Sequence, residues 1–299
     1  MAVAPTPPGP AATPPGPAAT PPGPAATPPA TTPPATPPAA TPPSAPTAAP
    51  QPAVEAIALR KDFGPVHAVD GIDMSLPPGR IYGLLGPNGS GKTTLIRLLT
   101  GLASATSGKA RVLGVTMPSR TNLAHIGYMT QADGIYPELS VWENLTFFAA
   151  LYGHTDKEDL VRSLEFVELD TRTGTPAQDL SGGMRRRLSM ACALAHHPAV
   201  LFLDEPTVGV DPALRVQFWD HFHRLAADGA TLVVSSHVMD EADRCDELLF
   251  IRDGRVLAQG TPAELRKRAG TDNLEAAFLT FAGEGATTSP TTSPKEAAR

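Results

Sequence analysis

No charged side chain occurs before Glu55. The 24 basic and 30 acidic residues therefore all lie from there to Arg299, while 21 of the 34 prolines stand in front of Glu55. A stretch without charge, and almost without large apolar side chains, cannot bury enough surface to offset the entropy of ordering. Residues 1–53 are accordingly predicted to be a disordered, proline-rich tail with polyproline II character. Pro7 to Thr27 repeat Pro-Pro-Gly-Pro-Ala-Ala-Thr three times, with glycine only at every seventh position (Gly9, Gly16, Gly23). A collagen triple helix needs glycine at every third. A signal peptide is excluded as well, because the start lacks both a basic residue and a leucine-rich core. The tail reads as a solvated segment, with a ligand for a proline-recognising partner as the alternative. Residues 282–299 are similarly low in complexity and are read as a second tail.

Other absences narrow the function. Basic residues are not in excess: the formal net charge is −6, so the local surplus of Lys and Arg that neutralises nucleic-acid phosphates is missing. No nucleic-acid partner is expected. No apolar run approaches the roughly 18 to 20 residues that span a bilayer. Any membrane process served by this protein needs another chain to cross the membrane. The two cysteines, Cys192 and Cys245, have neither metal-ligand spacing nor a partner framework for disulfides, which makes a reduced, cytoplasmic setting the default.

What is present between the tails alternates β and α. Ile72, Met74 and Leu76 alternate with polar residues as a half-buried strand does, and Ile81 to Leu85 form a short apolar run ending at Gly86. Leu95, Leu98, Leu99 and Leu102 then stand on one face of a predicted helix. The runs Ala199 to Leu203 and Thr231 to Val234 read as buried parallel strands. Ser140-Val-Trp-Glu143 has capping-box spacing, and from there to about Ala195 the periodicity is helical. The fold class is thus α/β, a parallel core sheet with a helical insertion at about 133–195.

Gly86-Pro87-Asn88-Gly89-Ser90-Gly91-Lys92-Thr93 fits G-x-x-x-x-G-K-[ST] between a buried strand and a helix, with Thr94 following. Glycines let successive N–H groups turn inward to form an anion nest, and the helix N-terminus adds positive potential at the same place. Lys92 is placed to reach the β- and γ-phosphates of a nucleotide, and the Thr93 hydroxyl to ligate Mg2+. The loop alone names only a nucleotide binder, of the P-loop NTPase kind and with Mg2+.

Four further segments follow in order: Leu180-Ser-Gly-Gly-Met184, Ala199-Val-Leu-Phe-Leu-Asp-Glu-Pro-Thr207, Gly209-Val-Asp211 and Ser235-Ser-His237. Together with the loop, and with Gln131 between Lys92 and Ser181, they resemble an ATP-binding-cassette (ABC) ATPase over residues 54–281. The resemblance implies roles. Asp204 holds Mg2+ through water, Glu205 positions the attacking water, and His237 contacts the γ-phosphate. Gln131 senses Mg2+ and the lytic water while linking to a membrane partner. Phe63 stacks on adenine, with packing into the core as its alternative. Ser181, Gly182 and Gly183 face the γ-phosphate held by an opposite subunit, with Asp211 also on the nucleotide side, so two chains close head to tail around two ATPs. Met184 stands where the family commonly has Gln. Arg185, Arg186 and Arg187 are read as a solvated or partner-facing surface. His196 and His197 are assigned to no metal site, since neither has a ligand at helical i+4 spacing.

Ile126 to Gln131, Tyr136 to Leu145, Asp240-Glu-Ala-Asp243 and Leu274 to Leu279 resemble the ATP-binding subunits of ABC-2 type drug and multidrug exporters. That resemblance implies an ATPase on the cytoplasmic face of the membrane, working as a homodimer with a separate integral-membrane permease. The alternative is a soluble ABC ATPase that drives assembly or remodelling. Only 88 residues separate Lys92 from Leu180, too few for the long insertions of DNA-repair and chromosome ATPases.

Overall fold

The structure is a computed structural model that describes residues 51–287. The expected proline-rich tail up to residue 50, and residues 288–299, lie outside the described residues. In chain order the elements are β1 (Val54–Phe63), β2 (Val66–Leu76), β3 (Ile81–Leu85), α1 (Lys92–Leu99), β4 (Ser107–Val112), β5 (Val115–Thr116) and β6 (Ile126–Met129). Next come α2 (Val141–Leu151), α3 (Lys157–Phe166), α4 (Gly182–Leu194), β7 (Val200–Asp204), α5 (Pro212–Ala227) and β8 (Thr231–Ser236). The chain closes with β9 (Glu247–Arg252), β10 (Arg255–Gly260), α6 (Pro262–Ala269) and α7 (Leu274–Thr287), the last running past the 281 boundary drawn from composition.

Two sheets form. One is antiparallel, in the order β2-β1-β4-β5; the other runs β10-β9-β3-β8-β7-β6, parallel from β9 to β6 with β10 antiparallel at its edge. Strand alternation divides the core by face. Tyr82, Leu84, Phe202 and Val233 point toward α1 and the antiparallel sheet. Ile81, Leu85, Leu201, Leu203 and Val234 point toward a second cluster that takes in α2 to α5 and α7. β3, β7 and β8 are buried on both sides, which is why they read as unbroken apolar runs.

Helix starts follow from local chemistry. Ser140 and Glu143 make the reciprocal capping box that their spacing predicts. Asp156, Ser181 and Asp211 cap α3, α4 and α5 with their side-chain oxygens. One expectation fails at the end of α1. Leu95, Leu98 and Leu99 are buried, but Leu102 is 65% exposed. Gly101 takes φ 77°, a left-handed conformation that ends the helix before Leu102 can join its face. Among the described residues no helix is long and apolar enough to cross a membrane.

His221 on α5 stacks on Phe166 of α3, ring centroids 4.0 Å apart. Burial, with Arg224 nearby, lowers its pKa from 6.5 to about 4. The unfolded chain therefore binds this proton first, so stability is retained above about pH 6.5 and is lost as pH falls toward 4. Because the ring is partly exposed, a loss of only about 1 kcal/mol at pH 5 is expected from this group. Urea unfolding at pH 7 and pH 5 tests it: His221→Phe should narrow the difference between the two midpoints, and an unchanged difference would assign the slope to other groups.

Candidate active site

The parallel strands end together, and the expected site residues sit at or just beyond those ends. The glycine loop follows β3, Gln131 follows β6, Asp204 closes β7 with Glu205 next, and His237 follows β8. In register, Asp204 pairs with Ser235 and Leu85 with Ser236. This carboxyl edge of the sheet is where open α/β folds place their ligands.

A cavity of about 1200 Å³ opens there, lined by Asn88 to Thr94, Gln131 and Glu205, and on its other wall by residues from β2 and the β9–β10 turn. The loop's shape depends on glycine at two places. A Cβ on Gly86 would lie 2.0 Å from the carbonyl oxygen of Ile251, and one on Gly91 would lie 2.3 Å from that of Ala68, at φ 105°. The first turn of α1 carries no acidic residue, so its N-terminal N–H groups keep their positive potential for an anion. Lys92 is buried, its Nζ donating to the carbonyls of Gly86 at 2.7 Å and Pro87 at 3.0 Å. Burial lowers its pKa, opposed by the charges of Glu205 and Asp204.

Asp204 is 1% exposed. Its Oδ1 accepts from Ser235 Oγ at 2.5 Å, while Oδ2 is buried with no hydrogen-bond partner. Ser90 Oγ, in the loop, is likewise buried and unpartnered. An unsatisfied carboxylate oxygen costs about 1–3 kcal/mol unless something meets it. A hard cation beside the Thr93 hydroxyl and Gln131 supplies what Oδ2 lacks, so this donor set fits Mg2+. Glu205 takes φ 54°, an uncommon conformation for a non-glycine residue. It turns the carboxylate so that Oε1 lies 3.0 Å from His237 Nδ1 and Oε2 lies 3.5 Å from Gln131 Nε2. Three residues expected to act on water and the γ-phosphate are thus brought together.

The expectation that Arg186 lies on a solvated or partner-facing surface fails. The residue is 6% exposed. From inside α4 its guanidinium donates to the carbonyls of Thr130 (2.6 Å), Gln131 (2.9 Å), Asp204 (2.5 Å) and Glu205 (2.6 Å). One cation therefore ties the backbone that carries Gln131 to the backbone that carries Asp204 and Glu205. The flanking arginines are also engaged, Arg185 with Asp133 and Arg187 with Glu168. Charge alone does not separate them; the place of Arg186 on the same side of α4 as buried Ser189 and Met190, three and four residues on, is the signal that does. A second missed residue is Glu241, 4% exposed. It accepts from Thr207 Oγ1 and from Ser236 Oγ, joining the segment after Glu205 to the residue before His237.

Other expected residues lie elsewhere. Phe63 is 55% exposed, with Lys61 Nζ 5.1 Å from its ring centroid, so it is not packed into the core, and it does not line the cavity. Asp211 caps α5 through Leu214 N–H at 3.0 Å. Ser181 and Gly182 are exposed at the start of α4, with Gly183 half-buried, and none of the three lines the cavity of its own chain.

The family profile described as ABC transporter matches residues 69–208. The Nod factor export ATP-binding protein I of Paraburkholderia xenovorans (strain LB400) is 38% identical over 230 residues, covering 75% of this chain and 76% of that protein. The chain belongs to the ABC transporter ATP-binding family. This ATP-binding cassette is also 39% identical over 236 residues to the probable multidrug ABC transporter ATP-binding protein YbhF of Escherichia coli (strain K12). That match covers 76% of the cassette chain and spans 41% of the relative's length. A solved structure of an ATP binding subunit of an ABC transporter matches the cassette with a TM-score of 0.71 at 24% identity, over 77% of this chain and 99% of that one. It shows the shared fold.

Proposed function

We propose that the chain hydrolyses ATP to power an ABC-2 type exporter of drugs or other hydrophobic compounds, as a head-to-tail homodimer with a separate membrane permease on the cytoplasmic face. The observation that carries the proposal is the convergence of Glu205, Gln131 and His237 at the mouth of the Lys92 loop. In phosphoryl transfer the protein contributes mainly positioning and charge stabilisation. The loop N–H groups and Lys92 hold the phosphates, Glu205 orients the attacking water, and His237 steadies Glu205 and meets the γ-phosphate. Asp204, Thr93 and Gln131 would hold Mg2+, which would supply positive charge against the phosphates.

Ser181, Gly182 and Gly183 support the dimer. They stand at a helix N-terminus that is open in a single chain, and a second copy turned head to tail would set them against its γ-phosphate. Export is supported by the two relatives named for multidrug and Nod factor export. For the permease, an aromatic group on the insertion, exposed Tyr136 set edge-to-face with exposed Phe147 and stacked on half-buried Phe148, lies close in sequence to Gln131 and offers an apolar contact. Co-expression with a membrane protein encoded beside the gene tests this reading. The chain should sediment with membranes only when that protein is present, and Tyr136→Ser should release it. A chain that never joins membranes with any neighbouring permease would favour the remodelling ATPase instead.

A further inference from the structure

His154, Asp159 and His197 stand apart from the nucleotide cavity and converge on one point. His154 lies in the connection after α2, Asp159 in the first turn of α3, and His197 in the loop after α4. The ligand atoms of the three all lie within 4.8 Å of one another. His154 Nε2 is 2.9 Å from Asp159 Oδ2, and His197 Nε2 meets the same oxygen. The two imidazoles stand at 76° with centroids 5.0 Å apart, so they aim at a shared point instead of stacking.

We propose that these three side chains form a site for a zinc-type divalent transition metal, which clamps the α2–α3 connection to the C-terminal end of α4. Two imidazole nitrogens and one carboxylate oxygen are a donor set suited to zinc, leaving an open position for water. Tetrahedral ligation at about 2.0–2.1 Å sets ligand atoms roughly 3.3 Å apart, so His154 Nε2 and Asp159 Oδ2, now 2.9 Å apart, would separate by about 0.4 Å as the three ligand atoms, all within 4.8 Å of one another, rearrange around one centre. Arg162 Nη2 donates to the other carboxylate oxygen, Oδ1, at 3.0 Å, which leaves Oδ2 to the metal and orients it as outer-shell partners do. The Arg162 charge opposes a cation, but its side chain is mostly exposed and solvent screens it. His197 takes φ 50°, a left-handed conformation that histidine tolerates better than most residues. Adjacent His196 is not part of the site: its ring stacks on Tyr152 and its Nε2 meets the carbonyl of Ile126. Helical spacing hid the cluster because its ligands come from three separate elements. The site also lies far from the ATP-facing end of α4, since a helix of 13 residues is about 20 Å long.

The test is calorimetric titration of the tag-free, chelator-treated full chain with Zn2+, without nucleotide, near neutral pH. One equivalent should bind and raise the thermal midpoint. His197→Asn, which keeps the left-handed backbone, and Asp159→Asn should each weaken binding at least about tenfold, while Asp204→Asn in the nucleotide cavity should leave the Zn2+ affinity unchanged. Affinity should also fall at acid pH, because ligation requires neutral imidazoles. Absence of Zn2+ uptake, or equal affinity in the wild type, His154→Gln and His197→Asn, would overturn the site.

Discussion

Glu205→Gln is expected to bind Mg-ATP within a few-fold of the wild type and to hydrolyse it about 10²-fold more slowly or worse, a loss of roughly 2.7 kcal/mol of transition-state stabilisation. The substitution is nearly isosteric. An amide can still accept from Gln131 Nε2 and donate to His237 Nδ1, the neighbours that hold Glu205 now. What disappears is the anionic acceptor for the water proton, in a reaction that gains most from placing that water. Binding is spared because, on the proposed reading, Lys92 and the loop hold the phosphates and Glu205 does not. Nucleotide titration and single-turnover hydrolysis separate the two effects. Near-normal turnover in the mutant would place the water-orienting group elsewhere.

Arg186→Met should be nearly as damaging through a different route. It leaves the carbonyls of Thr130, Gln131, Asp204 and Glu205 without the donor they share. Hydrogen bonds to a charged donor contribute about 1.5–3 kcal/mol each, and part of this loss is recovered by relaxation and water. A net destabilisation of about 3 kcal/mol is expected, lowering Tm by roughly 6–12 °C for a domain of this size. Because the residue steadies Gln131 and Glu205 but not the phosphate loop, kcat should fall more than tenfold, with KM for ATP changed far less. Arg186→Lys should recover part of the stability, while Arg185→Gln, which gives up one partly exposed ion pair with Asp133, should cost under about 1 kcal/mol. Equal Tm and kcat in Arg186→Met and the wild type would rule out this positioning role.

These two residues mark how far the sequence can be read. The place of Glu205 directly after β7 is legible because the signals are local: an apolar strand, an acidic pair at its end and a glycine loop upstream each show in consecutive residues. That of Arg186 is not, since its partners are backbone carbonyls 18 to 56 positions away, and carbonyls leave no mark on the sequence. The same reason hid the meeting of His154 and His197 on Asp159, which depends on three helix ends being packed together. Strands β3, β7 and β8 were legible because burial on both faces makes unbroken apolar runs. The end of α1 was misjudged because Leu102 continues the apolar spacing beyond Gly101, where the backbone turns left-handed. Phe63 shows a further limit: an aromatic at a strand end can pack, stack or stay exposed, and only its surroundings decide. In this chain it is exposed.

On the proposed function, ATP is hydrolysed at a site completed by a second copy of the chain. Specific ATPase activity measured over a wide range of protein concentration, alongside the oligomeric state, tests it most directly. Activity per chain should be weak when dilute and rise steeply as dimers form, and in Glu205→Gln it should be lower by about 10²-fold or more at every concentration. Constant specific activity from a proven monomer would contradict the composite site.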